Sequence, residues 1–451
     1  MSQQSVDVQA FIDRHPFSPF QWFIFALCFC IVLLDGFDTA AIGYVAPSLL
    51  KEWGIAKPAL GPVLTAALFG LSAGALLTGS LSDRFGRKKV LVTSVAVLGV
   101  FTLASSFASN LTELSVLRFL TGLGLGTAMP NAVTLMSEYC PAARRSMLTN
   151  AMFCGFPLGA SLGGFVAAWM IPQWGWRSVM LFGGVAPLLL LLLMLLVLPE
   201  SVRYLVAHAK PHAQVVEVLA RISAAARSIA AFHLSESKSG ADGKRGLAVV
   251  FSPSYRVGSI MLWLTYFMGV VIFYAVINWM PTLFKEVGID GKTAMLVSAL
   301  FPLGGIGAVF SGWLMDRFNA DRIIAIGFLL TALSIYAVGQ VVGNVGTLMV
   351  VVFIAGTVMN TAQSSLPALA ASFYPTQGRA TGVSWMMGIG RFGGILGSLL
   401  VAELARRHVG FDQVFLVLAI PGVLAAAALL VKNRAHPEAV QKPVVASSLG
   451  H

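Results

Sequence analysis

The sequence predicts an all-α integral membrane protein with twelve transmembrane helices arranged in two six-helix halves. The chain has 451 residues, of which 57% are hydrophobic and only 11% are charged, too few charges for a solvated surface. Twelve apolar segments are each long enough to cross a bilayer, which takes about 20 residues. A charged motif that follows the second segment recurs 233 positions later, so the two halves resemble copies of one unit.

The apolar segments come as six, then a polar interval, then six more. The clearest runs from Ser178 to Leu198, 21 residues without a charge. The interior of a bilayer admits only helices or a closed barrel, and no segment alternates as a barrel strand would. The predicted spans are 21–45, 58–80, 90–108, 114–136, 146–169 and 178–198 in the first half, and 256–280, 294–315, 323–341, 346–370, 380–403 and 411–431 in the second.

The segments between and beyond the spans complete the predicted organisation. The linker is rich in Ala, Ser, His, Lys and Arg, a composition that disfavours a core, although a short helix is expected near 213–231. The N-terminal tail shows no cleavage-site pattern, so the first span is expected to serve as the membrane signal. The predicted parts are a tail over 1–20, a bundle over 21–198, a linker over 199–255, a bundle over 256–431 and a tail over 432–451.

The distribution of Lys and Arg predicts the orientation in the membrane. With both termini in the cytoplasm, the inner segments hold 21 of the 30 basic residues and the outer loops hold seven. The positive-inside rule favours this orientation. It also accounts for the net charge of +11 without a nucleic-acid partner.

No pattern in the sequence indicates a metal, a cofactor or an enzyme site. The four cysteines lack metal-binding spacing, the seven histidines fall in loops or tails, and no Walker sequence is present. Residues 70–74 (GLSAG) and 388–393 (GIGRFG) match short enzyme motifs, but both lie inside predicted helices, where small residues allow close packing. We therefore expect a protein that is not an enzyme and needs no cofactor.

The motifs resemble those of a known transporter superfamily. Residues 79–88 (GSLSDRFGRK) are similar to the loop motif of the major facilitator superfamily, and 312–318 (GWLMDRF) form a degenerate copy. Residues 35–39 (DGFDT) and 374–393 resemble the aromatic acid:proton symporters, and the resemblance covers nearly the whole chain. It implies a monomeric transporter of the bacterial inner membrane that takes up an aromatic carboxylate, such as 4-hydroxybenzoate or protocatechuate, with protons by alternating access.

Two acidic residues in the first span are predicted to couple transport to protons. Asp35 and Asp38 are three residues apart and so lie on nearly the same helix face, in the outer half of the membrane. An ionised side chain in mid-helix costs about 2.5 to 3.5 kcal/mol, so few are kept without a use. Asp38 is also a predicted substrate contact. Capping of a broken helix near Gly36 or Gly43 is the alternative.

Two arginines are predicted to lie within the spans. Arg391 lies twelve residues beyond Arg379, about 18 Å along a helix, which places it near the membrane midplane. Its guanidinium is predicted to bind the substrate carboxylate through two parallel hydrogen bonds, or to pair with Asp35 or Asp38. Arg118 resembles the arginine that the superfamily links to proton transfer; extension to the outer interface is the alternative.

Aromatic and polar side chains are predicted to line the substrate pocket. Tyr266, Tyr274 and Asn278 follow one face of the seventh span, where they can stack on a flat ring or hydrogen-bond a phenol. Gln363 in the tenth span and Trp385 in the eleventh are similar candidates. Packing or lipid contact is the alternative for this aromatic stripe.

Charged residues at the inner ends of the spans are predicted to form a cytoplasmic gate whose ion pairs break on opening inward. Positive-inside anchoring is the alternative, although it makes little use of acidic residues. The predicted gate residues are Asp83, Arg84, Arg87, Glu138, Arg144, Arg145, Asp316, Arg317 and Arg379.

The sequence leaves other functions open beside aromatic acid symport. The transported substrate can instead be another organic acid. A transporter that doubles as a chemoreceptor for aromatic acids would use the same pocket. A membrane enzyme would depend on Ser72 of the GLSAG segment, the one candidate nucleophile.

Overall fold

The computed structural model describes residues 5–234, 247–307, 318–374 and 376–436, and long helices make up most of them. Ten helices in these ranges are long and apolar enough to cross a membrane, which confirms the predicted all-helical membrane fold. The fourth and eighth predicted spans are not among the ten. The fourth corresponds to a long helix of less apolar composition, and the eighth is described only over Gly291–Leu303 before the gap that begins at 308.

The helices follow the predicted order of six, linker and six. The first half contains β1 (Ser5–Asp7), α1 (Val8–Arg14), α2 (Pro19–Trp53), α3 (Leu60–Phe85), α4 (Arg87–Ser105), α5 (Leu111–Tyr139), α6 (Arg145–Phe153), α7 (Gly155–Trp174) and α8 (Trp176–Val197). The linker contains α9 (Val202–Ala207), α10 (His212–Ala220), β2 (Ala231–His233) and α11 (Leu247–Val250). The second half contains α12 (Arg256–Glu286), α13 (Gly291–Leu303), α14 (Ala320–Gln340), α15 (Val345–Phe373), α16 (Thr376–Arg406) and α17 (Phe411–Ala435).

Local sequence signals set the ends of the longest helices. Ser18, immediately before α2, and Gln21, in its first turn, form a reciprocal capping box. At its other end the chain turns at Gly54, whose φ of 61° favours glycine. Asn110 caps α5 and Asn344 caps α15. Each side chain accepts a hydrogen bond from the backbone N–H of the residue three positions later.

Glycines allow the membrane helices to approach each other closely. A Cβ on Gly159 of α7 would lie 1.8 Å from the carbonyl oxygen of Leu33 on α2. In the second half, a Cβ on Gly393 of α16 would lie 2.5 Å from the carbonyl oxygen of Phe267 on α12. Backbone contact of this kind is the packing role expected for small residues in membrane helices.

Replacing Gly159 with alanine is expected to lower the melting temperature of the purified protein, because the added methyl group forces α2 and α7 apart. Overpacking of this kind costs about 1 to 3 kcal/mol. Gly388→Ala is the matched control, since no atom lies within 4 Å of a Cβ at that position. Equal melting temperatures for the two variants would contradict this account of the packing.

The N-terminal tail and the first part of the linker pack together, although the composition of the linker predicted no core. β1 pairs in parallel with β2, with Ser5 opposite Ala231. Phe11 of α1 and Leu219 of α10 belong to one buried apolar cluster. The linker therefore contributes to a small folded layer against the first half, because α10 carries an apolar face that the average composition conceals.

The two halves meet away from the linker. We call the end that carries the linker the linker end and the opposite end the far end. A Cβ on Gly43 of α2 would lie 2.9 Å from the Asn278 Cα on α12. Ser161 Oγ of α7 donates a hydrogen bond of 2.9 Å to the Ala299 carbonyl of α13. These contacts lie in the far half of the helices, so the described state is closed at the far end.

Candidate functional site

Asp38 and Arg118 form a buried ion pair between α2 and α5. Arg118 Nη1 donates to Asp38 Oδ1 at 2.9 Å, and Nη2 donates to Oδ2 at 2.7 Å. Both side chains are at most 1% exposed. Thr102 of α4 adds a hydroxyl hydrogen bond of 2.8 Å to Asp38 Oδ1. Arg118 thus points into the first half and does not extend to the outer membrane–water interface.

This geometry is the fork that favours arginine over lysine for carboxylate binding. Removing one member of a buried ion pair typically costs about 3 to 5 kcal/mol, because the other charge stays behind without compensation. Arg118 Nη2 also donates to the Asp38 carbonyl at 3.2 Å. Asp38 and Arg118 therefore act as one unit that ties three helices of the first half together.

Asp35 lies one turn from Asp38 but has a different environment. Its side chain is buried, and the Thr39 hydroxyl donates to Oδ1 at a long 3.4 Å. It interacts electrostatically with Asp38 and with Arg391 of the second half. Of the two carboxylates, Asp38 is bound by the arginine of the first half, whereas the described hydrogen bond of Asp35 is to Thr39 of its own helix.

Arg391 reaches from α16 across to the first half. Its Nη1 donates to the carbonyl oxygen of Leu71 on α3 at 3.0 Å. That bond uses one of the five N–H donors of a guanidinium. The side chain is half-buried, between the two halves. Arg391 is thus a cation between the two halves, and the group that its guanidinium hydrogen-bonds in this state is a neutral carbonyl.

Two tyrosines of α12 flank Arg391. The ring of Tyr266 packs on Gly390, where a Cβ would lie 2.2 Å from its Cδ1 atom. The ring of Tyr274 packs on Gly394, where a Cβ would lie 2.8 Å from its Cδ2 atom. The glycines one residue before and three residues after Arg391 thus each make room for a tyrosine ring against α16.

The other predicted pocket residues have separate contacts. Asn278 Nδ2 donates to Ser398 Oγ at 2.8 Å, and Gln363 Nε2 donates to the Tyr266 carbonyl at 3.3 Å. Both amides therefore join helices of the second half. Trp385 is 44% exposed and stacks on Trp263 with the ring centroids 6.0 Å apart. It lies six residues from Arg391, about 9 Å along α16 toward the linker end.

Arg87 and Glu138, two of the predicted gate residues, belong to one network at the linker end of the first half. Arg87 Nε lies 3.4 Å from Glu138 Oε1, and the Ser201 hydroxyl donates to the other oxygen of Glu138. The Lys88 N–H donates to Glu200 Oε1 at 3.0 Å. This network joins the start of α4 and the end of α5 to Glu200 and Ser201 at the start of the linker, so it stabilises the first half at the linker end.

The remaining gate residues are placed less uniformly. Arg145 donates to Gln9 Oε1 of α1 at 2.8 Å, Arg84 stacks on Phe85, and Arg144 is exposed. A gate across both halves at the linker end stays a prediction. Asp316 and Arg317 lie outside the described residues, as do the side chains of Asp83 and Arg379.

Three features of the site escaped the sequence reasoning. Thr102 contacts Asp38 from 64 positions away, and neither spacing nor composition marks it. The Leu71 carbonyl is a backbone group that no side-chain pattern reveals. Ser201 contacts Glu138 from 63 positions away, a pairing that helix packing decides.

The family model described as Major Facilitator Superfamily matches residues 28–308 and 262–449 of the chain. The 4-hydroxybenzoate transporter PcaK of Pseudomonas aeruginosa is 51% identical over 432 residues, covering 95% of this chain and 96% of that protein. The gallate transporter of Pseudomonas putida is 45% identical over 431 residues, with the same coverage of both chains. The 3-(3-hydroxy-phenyl)propionate transporter of Escherichia coli is 33% identical over 404 residues, covering 89% and 91%.

Solved structures show the same fold. The inward open conformation of the xylose transporter XylE from E. coli superimposes with a TM-score of 0.73 at 20% identity. The alignment covers 94% of this chain and 98% of that one. A bacterial homologue of the human lysosomal transporter Spinster, in an inward-facing conformation, gives a TM-score of 0.72 at 15% identity and covers 93% and 98%.

Proposed function

The chain belongs to the major facilitator superfamily and is a multi-pass membrane transporter, and from that premise we propose that it takes up an aromatic carboxylate together with protons. The observation that carries the proposal is Arg391, a cation between the two halves, with two tyrosine rings packed on the glycines before and after it in α16. The names of the relatives suggest hydroxylated benzoates as the substrate class.

The substrate carboxylate binds the Arg391 guanidinium. An anion with two oxygens can form two parallel, charge-assisted hydrogen bonds, which are stronger than the present bond to the Leu71 carbonyl. The substrate ring stacks against Tyr266 or Tyr274, and the tyrosine hydroxyls are suited to a ring hydroxyl. Substrate binding thus replaces a contact between the halves with a contact to the substrate.

Protons enter through the two carboxylates of α2. Asp35 lies in electrostatic reach of Arg391, so its negative charge competes with the substrate for the guanidinium. Protonation of Asp35 removes that competition and lets the substrate anion bind. Asp38, held by Arg118 and Thr102, is the second protonation site, and its neutralisation would release the buried arginine. Proton and substrate are thereby loaded together before the halves rock.

The orientation follows from the distribution of basic residues. We infer that both termini and the linker face the cytoplasm of a bacterial cell, with the protein in the inner membrane as a monomer. The far end, where the two halves are in contact, then faces outward. The network of Arg87, Glu138 and Ser201 holds the first half rigid at that side.

A binding screen on the purified protein tests the substrate class. Thermal stabilisation by 4-hydroxybenzoate, protocatechuate and gallate is expected, with no shift from methyl 4-hydroxybenzoate, which lacks the carboxylate. Ligand at one hundred times its Kd stabilises a protein by about 2.7 kcal/mol, a shift that is readily measured. Short aliphatic acids are the second control, and stabilisation by them alone would contradict an aromatic site.

A further inference from the structure

An ion pair joins the two halves at the far end. Lys57 lies in the short turn between α2 and α3, and its ammonium contacts the carboxylate of Glu286, the last residue of α12. Among the described residues this is the one ion pair with a member in each half. The pair lies at the outer edge of the contact between the two halves, which we call the seam. It can therefore form only when the halves are together at the far end.

The surroundings of the pair are already closed. A Cβ on Gly61, four residues after Lys57, would lie 3.2 Å from the Ala402 Cβ atom on α16. Nearer the middle of the helices, a Cβ on Gly43 would lie 2.9 Å from the Asn278 Cα on α12. Opening the far end must therefore separate Lys57 from Glu286, whereas opening the linker end does not.

We propose that Lys57 and Glu286 form a latch that favours the state closed at the far end. The inference rests on the proposed function, since it assumes that the transporter alternates between states open at either end. Lys57 is 29% exposed and Glu286 46%, so water screens the pair and its contribution is modest. A modest bias is what a transporter needs, because a latch that never opened would stop the cycle.

The same end offers a matched control pair. Arg177 of α8 pairs with Glu52 of α2, and the two side chains are 43% and 41% exposed. The Trp176 indole N–H also donates to Glu52 at 2.7 Å. Both members of this pair belong to the first half, so they move together when the halves separate. Breaking it changes the local charge at the far end without touching the seam.

The test measures distances across the far end in the full-length protein reconstituted in lipid nanodiscs without substrate. Spin labels are attached at Ser109→Cys in the first half and Gly343→Cys in the second, two exposed positions in far-end loops. Cys30 and Cys154 are replaced by serine, and the buried Cys28 and Cys140 are left in place. Pulsed electron paramagnetic resonance then gives the ratio of long to short distances.

Lys57→Glu and Glu286→Lys are each expected to raise that ratio roughly two- to fivefold, as the loss of a surface ion pair allows. The double variant, which restores the pair in reverse, is expected to return the ratio to that of the parent. Glu52→Lys should leave it unchanged. Unchanged ratios in both single variants, or a double variant that stays open, would overturn the latch.

The outcome is separable from the proposed function. The distance measurement needs no substrate and no proton gradient, so a protein that failed to transport aromatic acids would still report on the latch. Conversely, if the protein transported aromatic acids while the single variants kept the ratio of the parent, the latch would be contradicted and the proposed function would stand.

Discussion

Replacing Arg391 with glutamine is expected to abolish uptake of labelled 4-hydroxybenzoate by cells that produce the protein. The variant leaves the substrate carboxylate between the two halves without a counter-charge, and an uncompensated buried charge costs about 3 to 5 kcal/mol. Affinity should fall by roughly a hundredfold or more, since each 1.4 kcal/mol is a factor of ten. Uptake at low substrate concentration is the measurement.

Arg391→Lys sharpens the result. A lysine keeps the positive charge but loses the planar fork, so an intermediate loss separates bidentate recognition from charge alone. Arg407→Gln is the control on the same stretch of chain, because Arg407 is exposed and pairs only locally with Glu403. Uptake by Arg391→Gln cells at the parent rate would remove Arg391 from the substrate site.

Replacing Asp38 with asparagine is expected to stop proton-driven accumulation and to destabilise the protein. The side chain keeps its shape, but Arg118 is left fully buried without its partner, at a cost of about 3 to 5 kcal/mol. Accumulation in cells and the melting temperature of the purified variant are the two measurements. Accumulation equal to that of the parent would end the coupling role of Asp38.

A second substitution separates stability from coupling. Asp38→Asn combined with Arg118→Gln removes both buried charges, so the melting temperature should recover while accumulation stays absent. Asp35→Asn provides the comparison, because Asp35 lacks the forked arginine contact of its neighbour and should lose accumulation with little loss of stability. Loss of both stability and accumulation in Asp38→Asn, with both restored in the double variant, would point to a purely structural pair.

The sequence predicted the fold because the membrane imposes simple rules. Composition, span length and the polar interval sufficed to place twelve helices, and the structure describes long helices at all of these positions except the end of the eighth span. The bounds were less predictable. The helix of the first span, α2, runs from Pro19 to Trp53, longer than the predicted span, because capping by Ser18 and the turn at Gly54 set its ends.

The charged members of the candidate site were predictable for a similar reason. Asp35, Asp38 and Arg391 stand out because a charge inside an apolar span is costly. Their partners were not predictable, since Asp38 meets Arg118 from 80 positions away, a pairing that helix packing decides. Sequence reasoning grouped Asp35 with Asp38 on one face. The structure assigns them different neighbours because three residues on a helix leave a rotation between the two side chains.

Coupling of aromatic acid uptake to protons is the central claim, and transport in proteoliposomes tests it directly. The purified protein is reconstituted, an acidic medium is placed outside an alkaline lumen, and labelled 4-hydroxybenzoate is followed inside. We expect accumulation above the level reached without a gradient, with collapse on adding a protonophore. Liposomes without protein give the passive entry of the neutral acid, which is subtracted. Protein-dependent uptake that is the same with and without the gradient would contradict the account.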